Sequence, residues 1–277
     1  MLVLRLLIGL SALVLALPAQ AQDAEPLAIG ETFVLDSEVL GEARRVNVYA
    51  PIGYDARGGE PLPVLYMPDG GIEEDFLHVA GLVQIGALNG TMRPFLLVGI
   101  ENTARRRDLT PPTAQAEDRE IAPVVGGSAA FRQFLRDELI PHVRATYATT
   151  DEAGLLGESL AGLFVVETFL AEPALFDHYL AVDPSLWWDG GRLVDEAAAR
   201  LAAFPDGEKT LVLASSRQPE IAIATRQLAA AVEESGAPVA LDYRFYPAEE
   251  HWTVFHPALL DAFRWAFPPE ADAEDGE

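Results

Sequence analysis

Gly157-Glu158-Ser159-Leu160-Ala161-Gly162 lies between a short apolar run, Ala153 to Leu156, and a longer one, Leu163 to Leu170. The pattern predicts a strand, a sharp turn and a helix, with Ser159 at the apex. Gly157 and Ala161 stand two residues to either side of the serine, where strand and helix backbones crowd and a bulky side chain would block the turn. The pattern admits two readings. Either the turn lifts a nucleophilic hydroxyl clear of a sheet, or Ser159 simply caps the helix that begins at Leu160.

Outward from this stretch, apolar runs alternate with amphipathic ones. Strands are predicted over 31–40, 44–50, 62–67, 94–100, 179–182, 210–214 and 240–246. Helices are predicted over 129–143, 191–203, 221–235 and 257–265. Such alternation implies an α/β fold with a mostly parallel sheet and helices on both faces. The segment from Glu101 to Ser128, rich in Pro, Arg and Asp, reads as a long loop, and loops of that length are usually functional or mobile.

Half of the 277 residues are hydrophobic, enough for one large domain over 22–267. Residues 1–21 read as a signal peptide: a start containing Arg5, an apolar stretch from Leu6 to Leu17, and a small-x-small triplet at Ala19-Gln20-Ala21. The mature protein is therefore expected to be exported, to the periplasm or beyond, with no stable membrane insertion. The tail 268–277 carries five carboxylates and no apolar face, and is expected to be disordered. With no cysteine, the chain offers no disulfide framework, thiolate metal site or thiol nucleophile, and its formal charge of −24 argues against nucleic acid as a partner.

Chemistry in such a sheet collects at the carboxyl ends of the strands. Of five histidines, three follow Ser159. His178 precedes its strand, His256 heads the last helix, and His251 lies in the loop after the final strand, from where an imidazole can serve the serine as general base. For the acid that orients His251, Glu220 is favoured because it follows the strand 210–214; Asp183, at the end of the preceding strand, is the rival. Two backbone donors would stabilise an oxyanion. Leu160 supplies one, and Gly70, in Asp69-Gly70-Gly71, is the candidate for the other unless those glycines form an ordinary turn.

The segments "NVYAPIGYD", "PVLYMPDGG", "LLVGIENTARRRDLTPP", "FLRDELIPHVRATY", "GESLAGLFVVETFL", "LFDHYLAVDPSLWWDGG" and "EEHWTVFHPALLDAFRW" resemble, in that order, successive blocks of the esterase D-like α/β-hydrolases. The branch with the enterobactin-type siderophore esterases is the most similar, over Val46 to Phe267. The resemblance implies the α/β-hydrolase fold and a Ser159–His251–Glu220 triad. It implies hydrolysis of a small-molecule ester through an acyl-serine, without metal or organic cofactor, on esters of small or medium acids such as siderophore or hydroxycinnamoyl esters. An acyltransferase of the same superfamily, or a binding protein on a silent hydrolase scaffold, are the other readings. Two positions depart from the pattern: Glu158 stands where a histidine is often found, and Ala161 replaces a glycine. Arg105 and Arg107 are candidates for pairing with an anionic or catechol-like acyl group, or for ion pairs with neighbours such as Asp108. Trp187 and Trp188 are candidates either for the wall of an acyl pocket or for the core.

Overall fold

A computed structural model describes residues 25–269. The proposed signal peptide, and all of the acidic tail beyond Pro269, lie outside the described residues. Eight strands form one sheet: β1 (Glu31–Ser37), β2 (Glu42–Tyr49), β3 (Leu62–Pro68), β4 (Leu96–Ile100), β5 (Thr149–Glu158), β6 (His178–Val182), β7 (Lys209–Ser215) and β8 (Val239–Phe245). Their spatial order is β1-β2-β4-β3-β5-β6-β7-β8. The first two pairings are antiparallel, and every pairing from β4 to β8 is parallel. The mostly parallel sheet expected from the alternation of runs is therefore present.

The helices are α1 (Phe76–Leu88), α2 (Arg105–Asp108), α3 (Ala116–Ile121), α4 (Ser128–Phe134), α5 (Ile140–Thr146), α6 (Leu160–Ala171), α7 (Arg192–Asp195), α8 (Ala197–Leu201), α9 (Pro219–Ser235) and α10 (Phe255–Ala266). A five-residue π turn, Leu135–Leu139, joins α4 to α5. Because strand side chains alternate, the central strands feed two cores. Val64, Tyr66, Leu155 and Leu213 face the layer containing Phe131, Phe164 and Leu228. Leu65, Met67, Leu156 and Val212 face the layer of α1 and α10, with Val79, Val83, Leu259 and Phe263. Strands buried on both faces show no polar alternation, which is why β3 and β4 read as plain apolar runs.

α1 has no counterpart in the sequence reading. Its apolar residues surround the helix, and Gly81 and Gly86 interrupt it, so neither periodicity nor propensity marks it. The stretch 101–128 is likewise not one loop, since it carries α2 and α3. α6 is buried from Leu160 to Leu170. Its uniform apolarity is that of a helix running beneath other elements, which fixes its N-terminus, and with it Ser159, against the sheet.

Candidate active site

Ser159 joins β5 to α6 with φ 59° and ψ −118°, a region that side-chain-bearing residues rarely occupy and that costs on the order of 1–3 kcal/mol. Neighbouring hydrogen bonds hold it there: the Ser159 amide donates to the Val182 carbonyl (3.1 Å), and the Ser185 amide donates to the Ser159 carbonyl (2.9 Å). The small residues have the mechanical role anticipated for them. A Cβ on Gly157 would stand 2.4 Å from the Ala161 backbone, and one on Gly162 would stand 3.0 Å from Pro184 Cα. The serine is thus the apex of a strained strand–turn–helix and more than a helix cap; its hydroxyl makes no capping bond.

From the loop after β8, His251 Nε2 lies 3.0 Å from Ser159 Oγ. Its Nδ1 lies 2.6 Å from Asp183 Oδ2. The carboxylate partner of His251 is therefore Asp183, and Glu220 is corrected. Glu220 occupies the exposed first turn of α9, where a negative side chain suits the helix N-terminus but does not reach the imidazole. The loop after β7 contributes donors in its place. Ser216 gives its amide to Asp183 Oδ1 (2.5 Å) and its hydroxyl to Oδ2 (2.9 Å), holding a fully buried carboxylate in one orientation. The Asp183 hydrogen bond raises the His251 pKa above the ordinary imidazole value, with burial opposing the rise. The His251 side chain stays 29% exposed, so water can reach the pair. Sequence reading missed Ser185, whose hydroxyl lies 3.3 Å from that of Ser159, and Ser216.

Leu160 opens α6, and an amide at that position has no acceptor within its own helix. It therefore points out of the helix beside the serine. Gly70 is corrected as the second donor: its amide is already given to the Ile100 carbonyl at 3.0 Å. Its lack of a side chain serves packing, because a Cβ there would meet Gly99 and Ile100 backbone atoms at 2.3 Å. The next amide, that of Gly71, donates to Glu74 Oε2 at 2.7 Å.

Arg105 clasps Asp69 with two hydrogen bonds, Nε to Oδ1 (2.6 Å) and Nη2 to Oδ2 (2.7 Å). Asn102 Nδ2 donates to the same carboxylate. Arg107 is corrected as a substrate contact, since its guanidinium is committed to Glu42 (2.7 Å) and Asp108 (2.6 Å). Asp108 also holds Arg44 at 2.5 Å, and both members of that pair are 1% exposed. Removing Asp108 would leave the Arg44 guanidinium buried without its full complement of acceptors. Asp108→Ala is expected to lower stability by about 3 kcal/mol, read as a fall in the urea midpoint. Of the two tryptophans, Trp188 is core, with its indole N–H on the Pro111 carbonyl (3.0 Å). Trp187 is half-buried two residues beyond Ser185. The most exposed aromatic near the site is Trp252, adjacent to His251 and 79% exposed.

The other histidines fall where the sheet argument puts them. His178, at the opposite end of β6, pairs with Glu152 at 2.6 Å. His256, the second residue of α10, meets His78 at 2.8 Å.

A serine on a strained turn, a histidine after the last strand and an aspartate after β6, on this sheet order, define an α/β-hydrolase site. The family model described as "Esterase: Putative esterase" matches residues 37–266, and the chain belongs to that Esterase family. The siderophore triacetylfusarinine C esterase of Aspergillus fumigatus is 32% identical over 63% of this chain and 62% of its own length. The ferri-bacillibactin esterase BesA of Bacillus subtilis is 34% identical over 35% of this chain and 38% of its own. The chain thus spans less than two thirds of the length of these curated relatives. An IroE-like serine hydrolase from Shewanella oneidensis has a similar crystal structure, with a TM-score of 0.78 and 27% identity, covering 86% of this chain and 80% of that one. The resemblance to siderophore-esterase relatives read from the sequence blocks is thereby upheld.

Proposed function

We propose that the protein is an exported serine carboxylic-ester hydrolase that cleaves siderophore-type esters through an acyl-serine intermediate. The observation that carries this reading is the continuous relay Ser159 Oγ–His251 Nε2, His251 Nδ1–Asp183 Oδ2. In the first half-reaction His251 takes the Ser159 proton as Oγ attacks the ester carbonyl, and the Leu160 amide faces the oxygen that gains charge. His251 then gives that proton to the departing alcohol. In the second half-reaction water repeats the attack on the acyl-serine, His251 again removing a proton, and the acid leaves as Ser159 recovers its own. Asp183 keeps Nδ1 protonated and stabilises the imidazolium formed in each step.

The substrate class rests on the relatives, whose names specify esters of triacetylfusarinine C and bacillibactin. Trp252, adjacent to His251 and 79% exposed, and half-buried Trp187, two residues beyond Ser185, are the aromatic candidates for contact with a large, partly planar substrate. Export rests on the charged start, apolar run and small-x-small triplet of residues 1–21. Among the described residues, no helix is long and apolar enough to cross a membrane. The test is a panel of triacetylfusarinine C, bacillibactin, feruloyl and p-nitrophenyl esters with product analysis. Siderophore esters are expected to give the highest kcat/KM, and cleavage of short acyl esters alone would remove the siderophore reading.

A further inference from the structure

Glu158 ends β5, paired in register with Val182, so it leaves the sheet at the same edge as Ser159 and Asp183. Its carboxyl group has no hydrogen-bond or ion-pair partner among the described residues, although the residue is half-buried. Charges on the neighbouring elements act on it. They are His251 after β8, Asp183 after β6, Asp69 after β3, Asp75 just before α1, and Arg105 from α2. Asp69 is matched by Arg105, and Asp183 by Ser216 and His251. Asp75 makes no capping bond to α1. Glu158, next to the serine, thus has no cation paired to it. His251 is the group in this cluster whose charge changes during the reaction.

We propose that Glu158 acts through His251: its carboxylate holds a proton on the imidazole and so sets the pH at which the Ser159–His251 pair works. The inference rests on the relay proposed above. A negative charge near an imidazole stabilises its protonated form. The neutral, proton-accepting His251 is therefore reached at higher pH, while the imidazolium formed during attack gains a stabilising neighbour. Burial pushes the Glu158 carboxyl up to about 7, against the pull of His251 and with help from Asp75, Asp183 and Asp69. Its ionisation therefore overlaps that of the imidazole, and the two titrate as a linked pair. A histidine or glutamine at this position would supply no such negative charge.

The experiment compares wild-type protein with Glu158→Gln, Glu158→His and the charge-retaining Glu158→Asp. Two readouts are used: the acid limb of kcat/KM for p-nitrophenyl acetate, and the NMR titration of the His251 ring in the resting protein. In Glu158→Gln and Glu158→His both are expected to move down by about one pH unit, the size of one nearby charge interaction at a partly buried site. Glu158→Asp is expected to stay near wild type. An unchanged His251 titration in both Glu158→Gln and Glu158→His would overturn the proposal, as would a shift of the same size in Glu158→Asp. Two variants of different shape, neither able to carry a negative charge, guard against a misfolded one. Because the titration needs no turnover, it reads the coupling even if Ser159 proved not to be the nucleophile, so the two failures are distinguishable.

Discussion

Ser159→Ala is expected to abolish ester hydrolysis, with kcat falling by at least about 10⁴-fold and the fold and urea midpoint little changed. The size follows from what the hydroxyl does. In the proposed mechanism it is the atom that bonds to the acyl carbon, and no other nucleophile of the relay stands in its place. Ser185 Oγ, 3.3 Å away, is the nearest hydroxyl, but the His251 Nε2 contact belongs to Ser159. The backbone supports the expectation of intact folding, since the turn is held by the Ser159 amide and carbonyl, not by its side chain. Alanine at φ 59° retains the strain already present. Residual hydrolysis above the uncatalysed rate would measure what the Leu160 amide and substrate binding contribute.

Asp183→Asn is expected to lower kcat by about 10³- to 10⁴-fold, while Glu220→Gln stays within about twofold of wild type. The asparagine keeps the shape, and with its nitrogen toward His251 its oxygen still accepts the Ser216 amide, while the hydrogen bond that the Ser216 hydroxyl gives to Oδ2 is lost. An amide nitrogen turned toward His251, however, favours a proton on Nε2 in place of Nδ1, so the imidazole can no longer accept the serine proton. It also removes the charge that stabilises the imidazolium. The Asp183 hydrogen bond raises the His251 pKa, so its loss should additionally move the acid limb of the residual activity to lower pH. Steady-state kinetics on both variants distinguish the aspartate from the glutamate outright. Equal losses, or a larger loss in Glu220→Gln, would contradict the geometry.

Much of this site is legible in the chain because the nucleophile's requirements are local. A small residue two before Ser159, a buried strand ahead of it and an apolar helix behind it are contiguous, and His251 is fixed by lying beyond the last strand. The acid is different, since any loop at the carboxyl edge of the sheet can supply it. Asp183 and Glu220 both follow strands, and only the packed sheet shows that Asp183 turns under His251 while the loop after β7 offers Ser216. Gly70 illustrates the same limit. A glycine after a strand marks a close backbone approach, but whether its amide is free depends on Ile100, which is remote in sequence. The mostly parallel sheet was foreshadowed by continuous apolar runs, whereas α1 was hidden by apolarity on every side. Arg107 shows that neighbouring basic residues can serve the fold: its pair with Glu42, beside the Asp108–Arg44 pair, ties α2 to β2.

The relay is tested most directly by intact mass and peptide mapping of the protein after exposure to a fluorophosphonate ester, beside Ser159→Ala and His251→Ala. A single adduct on the peptide containing Ser159, absent from Ser159→Ala and strongly slowed in His251→Ala, is the expected result. No adduct on the wild-type protein, or one that persists in Ser159→Ala, would contradict an acyl-serine mechanism at this site.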